Sequence, residues 1–171
     1  VCAGKLLKCT ECAPGETFCI GQTVAKCHTD GEGHDVLDTC DTSVGEACRG
    51  GGCPHLCTVA KQEKSNVGCE YWPVDLDNAM IDVTRNAQAQ QYAVVVSNPQ
   101  PDVAITVKVY RDDGEPGDTP APIEIAEALI PPLNLRVFKL GPREVDGSHD
   151  GKYNNGSHTA VSRKAYKVVS D

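Results

Sequence analysis

Hydrophobic and polar positions change their rhythm along the second part of the chain. From Gln91 to Asn98 the sequence QYAVVVSN is a mostly apolar run bounded by a turn, which predicts a strand buried on both faces. Val103–Tyr110 alternates instead, with Val103, Ile105, Val107 and Val109 on one side and Ala104, Thr106, Lys108 and Tyr110 on the other. NPQPD between them reads as a turn, so the two segments are expected to pair as an antiparallel hairpin. Ile123–Leu129 and Leu133–Leu140 predict two further strands flanking a Pro-Pro turn, and Thr159–Ser170 predicts a final one. RDDGEPGDTPAP and residues 141–158 read as polar loops. Strands at this spacing with little helix predict an antiparallel β-sandwich over residues 70–171. An open sheet covered by the rest of the chain is the alternative. About six strands are few for a closed sandwich, so an incomplete one is expected. YKVVS, as the last strand, is expected to leave an open edge, paired by further chain or by a neighbour.

Residues 1–69 carry a different pattern. Short ribbons are expected around Phe18–Ile20 and Thr23–Cys27, then a Gly-rich turn at Asp30–Gly33 and a third ribbon at Asp35–Thr39. RGGGC (49–53) reads as a flexible loop, and Ala60–Lys64 suits one or two helical turns ending near Asn66 and Gly68. The few aliphatic residues here are scattered, so this segment cannot build an ordinary apolar core.

Composition explains what replaces that core. All ten cysteines (Cys2, Cys9, Cys12, Cys19, Cys27, Cys40, Cys48, Cys53, Cys57 and Cys69) precede residue 70, whereas nine of the eleven prolines and seven of the eight aromatics follow it. An even cysteine count at this density predicts an oxidised, disulfide-stapled module, with a connectivity that spacing does not specify. Two domains follow: a disulfide-rich module over 1–69 and the β-sandwich over 70–171. Oxidised cysteines also predict a secreted or cell-surface protein, with Val1 expected to follow a processed leader. The net charge of −8 is spread over both parts without a basic stripe, which argues against nucleic acid as a partner. No apolar run reaches the roughly 20 residues of a transmembrane helix.

Candidate chemistry is sparse. In DLDN, Asp75 and Asp77 would share one face of a strand and could approach a calcium ion, although the calcium-loop pattern is not met; a strand-ending turn is the simpler reading. In the long loop, Asp146, His149 and Asp150 are candidate ligand or metal contacts, but consecutive Ser148, His149 and Asp150 cannot form a catalytic relay, because such a relay needs side chains gathered from separate positions. Cys9-Thr-Glu-Cys12 and Cys53-Pro-His-Leu-Cys57 have zinc-like spacing, yet four ligands would leave six cysteines to place, so bridges account for them better. The acidic run 111–118 reads as a solvated turn or as a cation loop. Tyr71 and Trp72 read either as packing between the two halves or as an exposed carbohydrate platform. No catalytic residue and no cofactor is expected.

The stretches GCEYWPVDLDNA, QQYAVVVSNP, LRVFKLGPREVDGS and HTAVSRKAYKVVSD are similar in order and spacing to large myxobacterial surface or secreted proteins described as like the N-terminal region of the IgG Fc-binding protein, which place a cysteine-rich lead-in before the "GCEYW" junction. That resemblance implies an extracellular, non-catalytic, β-rich protein, not immunoglobulin binding. The expected role is therefore adhesion or surface assembly through a protein or glycan partner, or through pairing with its own copies. A structural subunit of an extracellular filament or coat is the alternative, and a secreted carbohydrate-binding or hydrolytic module the third.

Overall fold

A computed structural model describes residues 11–76, 78–145 and 161–171. The chain divides into two compact units that meet between Gly68 and Cys69.

The first unit is a three-stranded antiparallel sheet, β1 (Thr17–Ile20), β2 (Thr23–Cys27) and β3 (His34–Thr39), in that spatial order. Gly21, at a φ of 58°, starts the two-residue turn between β1 and β2, a backbone that costs a side-chain-bearing residue more than glycine. Cys12–Cys27, Cys19–Cys48 and Cys40–Cys53 are disulfides, and Cys57 and Cys69 are disulfide-bonded as well, leaving no free cysteine among the described residues. The buried cluster of this unit is Val24 with Cys40 and Cys48, packed by Cys19 and Cys53. Half-cystines thus occupy the places that aliphatic side chains fill in a larger domain. The expected flexible loop at 49–53 is instead a closed turn, in which the Arg49 and Gly52 amides donate to each other's carbonyls at 3.0 and 3.2 Å. Helix α1 spans Leu56–Gln62, earlier than the predicted centre, because His55 caps it by accepting from the Cys57 amide at 3.2 Å through Nδ1.

The second unit is β-rich throughout. A four-stranded sheet runs β4 (Glu70–Tyr71), β11 (Tyr166–Ser170), β8 (Ile105–Arg111) and β9 (Ile123–Ile130). A two-stranded sheet pairs β7 (Tyr92–Ser97) with β10 (Leu135–Leu140), and β5 (Met80–Asp82) forms a small hairpin with β6 (Arg85–Asn86). All these pairings are antiparallel. The core draws Val107, Val109, Ile130, Tyr166 and Val168 from the larger sheet and Phe138 and Leu140 from the smaller, so it is filled from two facing layers, as in a sandwich.

Four expectations change here. The β7–β8 hairpin does not form; β7 pairs with β10 and β8 with β9 and β11, so the 98–104 connection passes from one sheet to the other. Asn98 explains the switch. Its buried side-chain amide donates to the carbonyls of Val103, Ile130 and Pro131 at 2.8–3.2 Å, and its Oδ1 accepts from the Gln100 amide at 3.0 Å. One side chain thus pins both inter-sheet corners. Second, β7 is not buried on both faces: Tyr92, Val94 and Val96 pack against the core while Val95 is 61% exposed. Third, the last strand is confined to Tyr166–Ser170; residues 161–165 are not strand, and Thr159 and Ala160 lie outside the described residues. Fourth, that strand is not an edge, since β4 and β8 flank it on either side.

Candidate functional site

Charged side chains gather where β8 and β10 end and β11 begins. Asp75, in the segment after β4, is buried; its Oδ2 accepts from the Arg143 amide at 2.8 Å and its carbonyl from the Val145 amide at 2.9 Å. These bonds set the 75–76 segment beside 143–145, where Leu76 and Val145 form a parallel bridge. Glu144, also buried, accepts from the Asn78 amide. The "DLDN" stretch is therefore stitched to the loop that follows β10.

Arg143 is the hub. Its guanidinium donates to the Asp113 carboxylate and to the carbonyls of Lys164, Asp112 and Arg163, and it lies 5.8 Å from the centre of the Tyr166 ring. Five N–H donors in a rigid fork suit this task, because one side chain can satisfy several strand-end carbonyls at once. Tyr166 stacks on Tyr92, with centroids 5.9 Å apart, and donates its hydroxyl to the Gly141 carbonyl at 3.1 Å. Burial pushes both tyrosine hydroxyls above their ordinary range, and the Asp75 charge acts in the same direction.

The acidic loop after β8 is closed by its own carboxylates. Asp112 accepts from the Gly114 and Ala121 amides and pairs with Arg163 at 3.1 Å, while Asp118 accepts from the Glu115 amide. The Gly114 amide first, then the Ala121 amide and Arg163, hold Asp112 below the usual carboxylate range; Arg143 and Arg111 do the same for Asp113. Such groups stay ionised at neutral pH, the opposite of what a general acid needs. Amides of the loop together with Arg143 and Arg163 from later in the chain hold Asp112 and Asp113, so the run 111–118 is a bonded turn.

Tyr71 and Trp72 stand differently. Trp72 is 58% exposed. Its indole N–H donates to Glu70 at 2.9 Å, and the Lys167 ammonium lies 5.3 Å from the ring centre and pairs with Glu70 at 3.0 Å.

Of the residues singled out in the sequence, Asp75 lies in the Arg143 network. Cys2, Cys9, Asp77, Asp146, His149 and Asp150 fall outside the described residues. The sulfurs of Cys12 and Cys53 are committed to bridges, so neither CxxC-like spacing delivers a free thiolate pair; His55 caps α1, and His28 pairs with Asp35 at 3.2 Å. Among the described residues no group of three His, Cys, Asp or Glu side chains is placed to hold a metal ion. Sequence reading missed Arg143, Arg163 and Asn98. The signal for the arginines was faint: two cations in loops lying 30 and 51 residues from the acidic turn they close. No protein-family model, no curated protein and no solved structure matches this chain.

Proposed function

We propose that this protein is a non-catalytic interaction module, working outside the cell or at its surface in adhesion or surface assembly. The observation that carries the reading is the outer face of the β7–β10 sheet. Val95 and Val137 are paired in register and are 61% and 44% exposed, and Leu135 beside them is 60% exposed. An outer sheet face in a sandwich is ordinarily polar, and clustered exposed aliphatics mark a surface that meets something. The oxidised half-cystine core supports the extracellular setting, since such bridges persist in oxidising compartments. No helix among the described residues is long and apolar enough to cross a membrane. The resemblance of the "GCEYW" junction and the strands after it to surface proteins points the same way.

Binding of the oxidised protein to arrays of extracellular proteins and glycans tests this reading. Saturable binding that Val137→Glu abolishes and Asp75→Asn preserves is the expected result. Turnover of a glycoside or peptide substrate that disappears in Asp75→Asn would overturn it. A filament or coat subunit remains a second reading because β9 and β10 each have an edge with no strand partner among the described residues. It would show as concentration-dependent polymers built through those edges, not through β11.

A further inference from the structure

Building on the binding role just proposed, we infer that the free edge of β10 takes up an extended polypeptide segment bearing acidic side chains, supplied by another protein. β10 bonds β7 along one edge only, and no other described strand reaches its second edge. A cleft of about 590 Å³ opens along that second edge, lined by Ile125–Glu127 of β9 and by Arg136–Gly141, with no residue of β7 contributing. Its floor includes Phe138 and Leu140, members of the core. β10 and β9 are therefore neighbouring edges of opposite layers, and the cleft lies between them.

The two edges are not equivalent. β9 carries a bulge at Ile125, where the register against β8 shifts between Val109 and Tyr110, and a bulge interrupts a continuous ladder. β10 pairs with β7 without any register shift over six residues, so its outer amides and carbonyls repeat regularly. Such a row is a template for β-augmentation, in which main-chain bonds supply affinity and alternate side chains supply selectivity.

Charge selects the occupant. Arg136 and Lys139 both line the cleft, and neither makes a salt bridge with a described residue, in a chain of net charge −8. Arg136 stands opposite Val96, whose side chain packs against the core, so it shares the inward face of β10 with Phe138; Lys139, one residue past Phe138, is on the outer face. An incoming strand would meet one cation on each of its faces. Glu127, on the cleft's other wall, already pairs with Lys108 at 3.7 Å, which leaves the basic pair as the uncompensated charge. Carboxylates three positions apart on an extended segment, which fall on its opposite faces, are the complement.

The test uses the oxidised full chain and a fluorescent, acetylated seven-residue peptide with Glu at its second and fifth positions and Val elsewhere, so that its two carboxylates lie on opposite faces. Fluorescence polarisation gives the affinity, and amide chemical shifts locate the site. Saturable binding with shifts centred on Leu135–Leu140 is expected. Arg136→Glu should weaken it at least tenfold, as should exchanging the peptide's Glu for Lys or N-methylating alternate amides of the peptide. Equal affinity of the Lys peptide, or no loss in a folded Arg136→Glu variant, would overturn the inference, as would shifts mapping elsewhere or no binding at millimolar peptide. Concentration-dependent β10 shifts without peptide would also overturn it, in favour of pairing between copies. Array binding that survives when the peptide fails leaves the broader reading standing and removes only this site.

Discussion

Asn98 shows how much one residue can carry. Its amide satisfies three carbonyls at two separate corners. Asn98→Leu leaves those carbonyls unpaired in a buried site, and the expected loss is about 2–4 kcal/mol of unfolding free energy by urea titration. Asn98→Asp should be no better, since a carboxylate has no proton to offer a carbonyl. A variant as stable as the parent would remove Asn98 from its role as the pin. A second residue-scale expectation concerns acid. Asp82 accepts from Thr84 and Arg85 through backbone and side chain, and these bonds, with Arg85 contributing most, lower its pKa to about 2. The folded pKa lies below the unfolded one, so the stabilisation is present above the unfolded value of about 3.9 and is lost as pH falls toward 2. Asp112 and Asp113 are depressed as well and add to the same acid limb. Melting temperature should be flat from pH 7 to about 5 and fall below 4. Asp82→Asn should make that fall shallower, and an unchanged pH profile would show that the β5–β6 turn contributes nothing to it.

At the scale of elements, the turn at 49–53 makes a sharp comparison. A Cβ at Gly51 would come 2.5 Å from the Thr17 hydroxyl oxygen and 2.7 Å from its backbone, at a φ of 78°, whereas Gly50, at 59°, has open space around it. Gly50→Ala should cost about 1 kcal/mol from backbone conformation alone. Gly51→Ala adds the clash and should cost clearly more, measured by thermal melting of the oxidised protein; equal costs would mean that β1 yields easily. Element identity was largely legible in the sequence: three ribbons, a short helix and strands near 92–97, 105–111, 123–130 and 135–140 all appear. Pairing was not. Hydrophobic alternation in Val103–Tyr110 reports which face is buried, and Val107 and Val109 are indeed fully buried, but it carries no information about which strand lies alongside. The seven-residue connection 98–104 is compatible with a hairpin or with a change of sheet. The Asn98 bonds, to residues up to 33 positions away, decide between them.

For the molecule as a whole, the two units rest on different sources of stability. In the first, bridges such as Cys19–Cys48, 29 residues apart, restrict the unfolded chain, each by about 3–4 kcal/mol on a chain-entropy estimate. In the second, two sheets bury an aliphatic and aromatic core. Full reduction should therefore unfold the first unit while amides in β8 and β11 keep their protection from hydrogen exchange. Simultaneous loss of protection in both units would show that they fold as one. The candidate site also belongs to this scale. Asp75 was visible as an acidic residue soon after the last cysteine, but its role depends on Arg143, 68 residues later in the chain.

By itself, the sequence determined the chemistry of each half. Cysteine density without aliphatic residues requires covalent staples, and two-residue periodicity requires half-buried strands, because both rules act on near neighbours in the chain. Tertiary structure alone decided that β7 pairs with β10, that the last strand is interior, and that open edges fall instead on strands such as β9 and β10. Those outcomes depend on contacts between residues far apart in sequence. Backbone hydrogen-bonding groups are the same in every strand, so their choice of partner is settled only when packing and buried polar bonds such as those of Asn98 select one arrangement.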